Sequence, residues 1–333
     1  MRDLNHRTVT LPALLLVFLM AAFGCENSGR QSQSAPLKLK VAVYPTTYTR
    51  LIAIADAKGY FKECGLDIEL RKSPSGTSAL DAVCRGEVQL GTVVDYAFAW
   101  RMLNDTSIRV VASTGEVFES RIIARKDRGI RQPSDLKGRR IGFVPNTISE
   151  YSLHCFLLEN NISPSEINAE PIPIPRQADA VVEGEVDAVS AFATYSFDAV
   201  ERLGENCVAW DGQNHVAYNA LLAVKEDMKP SSETLTRFLR ALVMAEEFQL
   251  SHEDEAKSIV MREWGFSREV IRQFWDRTRV RVSLNQPIIT CLQIYSKWHM
   301  RRSGKIGDPP NVLSFIDTGP LDRIDPARVT IFR

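Results

Sequence analysis

The chain has 333 residues, 44% of them hydrophobic, enough apolar material for a large core that at this length divides into two bodies more readily than it grows as one. Lysine plus arginine equals aspartate plus glutamate at 41 each, a balance that carries no basic footprint for nucleic acid. No Cys-x-x-Cys pair occurs among the six cysteines, which argues against a disulfide framework and against a clustered zinc site.

Arg2 and Arg7 precede an apolar run over 11–23, followed by Gly24 and Cys25. A spanning helix needs about 20 apolar residues, so the run reads as a signal sequence. "AAFGC" resembles the bacterial lipoprotein signal, with Ala22 where leucine is usual, and makes Cys25 the candidate for lipidation. Acyl chains on that residue would hold the protein to a membrane, each buried CH₂ contributing about 0.8 kcal/mol. The alternative is an ordinary cleaved signal beside a chance cysteine. Residues 1–24 are thus expected to be the signal and 25–36, "CENSGRQSQSAP", a flexible tether. The folded part starts at Leu37, outside the cytoplasm, in the periplasm or at the cell surface. Its cysteines, Cys64, Cys84, Cys155, Cys207 and Cys291, read as small buried residues with room for one bridge.

From Leu37 the elements alternate. "LKLKVAVY" has the two-residue period of a strand, and "RLIAIADAKGYFKECG" has helical spacing punctuated by Gly59 and Gly65. "LDIELRKS" predicts a strand, "TSALDAVCRG" a helix and "VQLGTVV" a strand. After "IRVVAST" and "SRIIARKD" the same alternation runs through "DLKGRRIGFV", "SEYSLHCFLLENN", "AEPIPIP", "QADAVVEG" and "VDAVSAFA". Strands separated by helices of about ten residues predict an α/β protein with mainly parallel sheets, and the pattern occurs twice. "AVCRGEVQLGTV" and "AVVEGEVDAVSA" are two copies of one helix-to-strand joint, in which Gly86 and Gly184 supply the positive φ at the helix exit. Val88 and Val186 are then expected to open the returning strands.

"ADAKGYFKECGLDIEL", "SGTSALDAVCRGEVQLG", "IRQPSDLKGRRIGF" and "VVEGEVDAVSA" resemble the periplasmic solute-binding proteins of ABC importers for sulfonates, taurine, nitrate and thiamine-pyrimidine precursors. The C-terminal "VSLNQPIITCLQIYSKWHMRRSGKI" is similar to the last helices of the same family. The resemblance implies a two-lobed periplasmic-binding-protein fold with the ligand cleft between the lobes. It also implies no cofactor, a small-molecule ligand, an ABC permease and ATPase as partners, and lobe closure on the ligand. Lobe 1 is expected to be discontinuous, 37–116 and 220–333, and lobe 2 to be 117–219, joined through "VASTGEVFESRII" and "CVAWDGQNHVAYNALLAV".

In open α/β sheets ligands sit beyond the carboxyl ends of the strands, where helix N-termini present free N–H groups. "SPSGTSAL" offers Ser75, Gly76, Thr77 and Ser78, with Gly76 letting the backbone approach and the hydroxyls at a helix start. "VPNTISEY" offers Asn146 and Thr147 in the second lobe, with Glu150 near a capping-box position. Plain helix capping is the competing account of both. Other strand ends supply Tyr44, Thr46, Thr47, Asp95, Tyr96, Thr194, Tyr195, Tyr218 and Asn219. Tyrosines can wall a pocket with one hydrogen bond each, or pack at the core rim. Asp95 would pair with an amine, as on taurine, or cap the helix that begins at Tyr96.

An enzyme on the same scaffold is the alternative class, with a ligand sensor after it. The pyrimidine-synthesising branch carries clustered cysteines that this chain lacks, and His154, His215, His252 and His299 fall in no catalytic spacing. His154 and Cys155 are adjacent on a helix, about 100° apart, and cannot face each other. Within the pyrimidine-binding branch the first loop runs Asp-Trp-x-Pro-Asn, where this chain has Ala42, Val43 and Thr46 at the acid, the aromatic and the asparagine. The balance of motifs favours a sulfonate or taurine ligand, with a pyrimidine precursor as the alternative.

Overall fold

The computed structural model describes residues 35–118, 120–212 and 217–332. The signal, Cys25, the tether up to 34, and His215 lie outside the described residues. In chain order the first elements are β1 (Leu37–Val43), α1 (Arg50–Ala57), α2 (Tyr60–Glu63), β2 (Leu66–Lys72), α3 (Gly76–Cys84), β3 (Leu90–Val94), α4 (Asp95–Met102) and β4 (Ile108–Val117). Then come β5 (Arg121–Arg125), β6 (Arg140–Phe143), α5 (Ile148–Glu159), β7 (Asn168–Pro171), α6 (Gln177–Val182), β8 (Ala188–Ala191), α7 (Ala193–Leu203) and β9 (Cys207–Asp211). The last run is β10 (Tyr218–Lys225), α8 (Ser232–Ser251), α9 (Glu253–Trp264), α10 (Arg268–Phe274), β11 (Thr278–Asn285), α11 (Gln286–Arg302), α12 (Gly319–Asp322) and β12 (Val329–Thr330).

These strands build two sheets. The first has the order β12-β11-β4-β10-β3-β1-β2 and the second β7-β6-β8-β5-β9. Pairing is parallel where a helix carries the chain back to the same edge, as for β1 with β2 and β3, and β6 with β7 and β8. It is antiparallel at β5 and β10, each of which enters its sheet directly from the other one with no helical crossover to turn it around. β11 also runs antiparallel to β4. The sheets are therefore mixed: the helix-linked parallel pairing expected from the alternation describes three adjacent strands in each, and β11 with β12 forms a further parallel pair in the first.

Strand alternation sorts the core into layers. In β1, Val41 and Val43 enter the main cluster with Leu51, Ile52 and Ile54 of α1, while Ala42 between them faces Ala79, Ala82 and Val83 of α3. In β5, Ile122 packs with Leu153, Phe156 and Leu157 of α5, and Ile123 packs on the opposite face with Ala178, Ala180 and Val181 of α6. Each sheet is covered on both sides, which is why its strands read as apolar runs.

Two details depart from the sequence reading. The returning strands start at Leu90 and Ala188, two residues beyond Val88 and Val186, although both valines are buried. All five described cysteines are free thiols, and only Cys291 is fully buried, the other four being partly exposed.

Candidate functional site

The loops that follow β1, β2, β3, β6 and β8 converge where the two sheets face each other. A cavity there is lined by Tyr44, Tyr48, Ser75, Gly76, Thr77, Val94, Ala97 and Tyr218 from the first sheet's elements and Thr147, Ile148 and Phe192 from the second's. Its volume is about 20 Å³, room for a single water.

Two helices begin at this cavity. Ser75 caps α3, its hydroxyl accepting from the Ser78 N–H at 3.0 Å, so that the free N–H groups of Gly76 and Thr77 stand at the cavity wall. Thr147 caps α5, accepting from the Ser149 N–H at 3.3 Å and donating to the Val144 carbonyl at 2.8 Å. The positive ends of two helix dipoles, one from each sheet, thus meet at one point. Aromatic side chains, Tyr44, Tyr48, Phe192 and Tyr218, form much of the remaining wall, and no lysine, arginine, aspartate or glutamate lines it among the described residues.

Of the residues expected from sequence, Tyr44, Ser75, Gly76, Thr77, Thr147 and Tyr218 line the cavity. Gly76 is small for a different reason from the one expected: a Cβ there would lie 3.3 Å from Val93 Cα, so glycine lets α3 press against β3. Ser78 stands one turn back, with its hydroxyl 2.9 Å from that of Ser75. Thr46 is buried and spans the next turn, its N–H donating to Thr49 Oγ1 at 3.1 Å, and Thr47 meets Thr278 Oγ1 at 3.0 Å. Asn146 takes a left-handed φ of 58°, with its N–H on Glu150 Oε2 at 2.9 Å, and faces a neighbouring cavity beside Trp100 and His299. The side chain of Thr194 lies outside the described residues. Tyr195 crosses from the second sheet to the first, its hydroxyl donating to the Pro74 carbonyl at 3.4 Å.

Asp95, Tyr96 and Asn219 turn inward. Asp95 is completely buried, accepting from the Tyr96 N–H at 2.8 Å and from the Asn219 N–H and Nδ2 at 2.8 and 2.7 Å. Burial pushes its carboxyl up to about 7, against the lowering effect of those bonds. Asp95 does not line the cavity; it fastens the start of α4, through the Tyr96 N–H, to β10. Tyr96 packs against Tyr151, Tyr295 and His299, with its hydroxyl accepting from Trp298 Nε1 at 3.1 Å.

Sequence reasoning missed Tyr48, Phe192, Val94, Ala97 and Ile148. Tyr48 lies in the same loop as Tyr44, and Phe192 directly follows β8, so position after a strand was the available signal; nothing local separates these aromatics from core residues. His154 packs against Trp298, ring centroids 4.3 Å apart and tilted, whereas Cys155 interacts with Tyr151, so the two do not form a dyad. Among the described residues no group of three His, Cys, Asp or Glu could hold a metal ion.

Residues 46–256 match the family model described as NMT1/THI5 like. The chain is 26% identical over 173 residues to the taurine-binding periplasmic protein of Escherichia coli K12, covering 52% of this chain and 53% of that protein, so it spans about half the length of that relative. It is 20% identical over 256 residues to the formylaminopyrimidine-binding protein of Halalkalibacterium halodurans, covering 75% and 77%. The fold is that of the alkanesulfonate-binding protein SsuA from Xanthomonas axonopodis pv. citri, solved bound to MOPS, with a TM-score of 0.72 at 15% identity over 86% of this chain and 99% of that one.

Proposed function

The chain belongs to the NMT1/THI5-like family, and from that premise we propose that it is the extracytoplasmic solute-binding component of an ABC importer that captures small organic sulfonates. In this reading Cys25 carries the lipid anchor, 37–116 with 220–333 and 117–219 are the two lobes, and a permease with its ATPase receives the ligand. The observation that carries it is the meeting of the α3 and α5 N-termini, from different sheets, at one cavity. Oriented N–H groups and dipole ends favour an anionic head, and aromatic walls suit an apolar tail, which enter as the two sheets part to widen a space that otherwise holds a single water. A carboxylate to balance an amine is absent from the described wall, since Asp95 is spent on Asn219. The ligand is therefore expected to be a sulfonate without an ammonium group rather than taurine. A second reading, a pyrimidine precursor, is favoured by the flat walls of Tyr44, Tyr48, Phe192 and Tyr218.

Thermal unfolding of the chain from Glu26 onward tests both readings, with ethanesulfonate, taurine and formylaminopyrimidine as ligands. A true ligand at a hundred times its Kd adds about 2.7 kcal/mol. Ethanesulfonate is expected to stabilise more than taurine, and Thr77→Val with Thr147→Val to abolish the effect. Stabilisation by the pyrimidine alone selects the second reading, and turnover of any of the three defeats both. Fractionation of cells carrying Cys25→Ser is expected to release the chain from the membrane; a chain that stays bound rules out the anchor.

A further inference from the structure

A second polar cavity, of about 260 Å³, shares no lining residue with the cleft and lies between β4, β11 and the C-terminal segment. It follows from the period of β11. Arg279, Arg281, Ser283 and Asn285 occupy alternate positions and share one face of the strand, while Val282 and Leu284 go into the core. Ser113, Gly115 and Glu116 of β4 form the opposite wall, and Ala327, Arg328 and Thr330 close the third side. The β4–β11 register slips between Val280 and Ser283, which opens the space between the strands' side chains. A Cβ at Gly115 would lie 2.5 Å from the Arg279 carbonyl oxygen, so no side chain can fill the groove from that position.

The charges divide into used and unused. Arg328 is consumed by Glu246, whose carboxylate it meets at 2.9 and 3.0 Å with both side chains almost buried, and by the Val282 carbonyl at 3.0 Å. Arg279 is mostly exposed and lies 3.8 Å from Glu116. Arg281 has no ion pair or hydrogen bond among the described residues. Ser283 is only 9% exposed, and the Asn285 Oδ1 is buried with no hydrogen-bond partner among the described residues. A buried acceptor left alone costs about 1–3 kcal/mol, so such a group calls for a donor from outside the chain.

We propose that this groove is a second binding site, for a small carboxylate that also carries a hydrogen-bond donor, in chemical class an amino or hydroxy acid. The carboxylate sits on the Arg281 guanidinium, which offers a paired fork of N–H donors. The ligand's ammonium or hydroxyl supplies the donor that the Asn285 carbonyl lacks, with Ser283 bridging between them. The site is independent of the cleft and of any sulfonate bound there.

Calorimetric titration of the full chain with L-glutamate and with glutarate, which differ by the ammonium group, tests the site. L-glutamate is expected to bind one per chain, about tenfold more weakly in Arg281→Ala, and glutarate several-fold more weakly than glutamate. Saturating ethanesulfonate is expected to leave the glutamate isotherm in place. No binding up to millimolar glutamate, equal binding in Arg281→Ala, or competition by ethanesulfonate overturns the groove site. Glutarate binding as tightly as glutamate overturns the acceptor role assigned to Asn285.

Discussion

Asp95 and His299 are buried ionisable groups on adjoining elements, and burial moves them in opposite directions. Asp95 rises from 3.8 to about 7, so the folded chain keeps a proton that the unfolded chain releases. Its contribution to stability is present below 3.8 and is lost as pH rises through 7. His299, with Nε2 on the Tyr96 carbonyl at 3.1 Å, is lowered by burial from 6.5 to about 4. The folded chain then refuses a proton that the unfolded chain takes up, so its contribution is present above 6.5 and is lost as pH falls through about 4. Between about 4 and 6.5 the two slopes oppose each other, each about 1.4 kcal/mol per pH unit. Asp95→Asn should make stability rise with pH across that window, and His299→Gln should make it fall. Urea unfolding at stepped pH reads both, and flat profiles in the two variants would dispose of the account. None of this was legible locally: "VVDYAF" shows an aspartate at a strand end, and only its bonds to Asn219 of β10 show that it is turned inward, off the cavity wall.

At the scale of elements the helix-to-strand joints were legible, because their chemistry is local. Gly86, φ 74°, closes α3 with its N–H on the Val83 carbonyl and the Glu87 N–H on that of Ala82, the paired bonds of a Schellman exit. Gly184, φ 81°, does the same work for α6, where the Val186 N–H reaches the Ala180 carbonyl. Glycines kept for backbone freedom can be told from glycines kept for contact. At Gly59, φ 76°, a Cβ would meet nothing within 4 Å, so Gly59→Ala should cost about 1 kcal/mol from conformation alone. Gly91 has no positive φ, but its Cβ would lie 2.8 Å from Val83 Cγ2 and 2.9 Å from the Ala79 carbonyl oxygen, forcing α3 off β3. Gly91→Ala should therefore cost more, about 2–3 kcal/mol. Denaturant midpoints rank the pair; the reverse order would mean that α3 is not held against β3 as described.

Across the whole molecule, contacts between the elements of the two sheets hold the cavity shut. Tyr195 bonds the Pro74 carbonyl, Glu150 on α5 pairs with Arg302 on α11, Tyr151 packs on Tyr295 and Trp298, and Arg277 meets Asp211 at 2.7 Å. Tyr195 and Arg302 do not line the cavity. If closure and binding are linked, weakening these contacts lowers the closed fraction and raises the apparent Kd in proportion. Tyr195→Phe with Arg302→Ala removes two partly exposed contacts worth about 0.5–1 kcal/mol each, so apparent affinity should fall about fivefold to thirtyfold. Small-angle scattering of the unliganded double variant should give a larger radius of gyration that returns to the wild-type value with ligand. An unchanged radius and unchanged affinity would mean that the sheets do not move on binding.

The sequence by itself determined the alternating α/β architecture, the glycine joints and the helix starts at Ser75 and Thr147, because each depends on residues within a turn of one another. The tertiary structure alone decided which strand-end side chains reach the cavity and how the strands pair. Those outcomes depend on groups distant in the chain: Asp95 finds Asn219, 124 residues away, and Tyr195 finds Pro74, 121 residues away. A side chain's direction at a strand end is set by what packs beside it, and local periodicity holds no record of that neighbour.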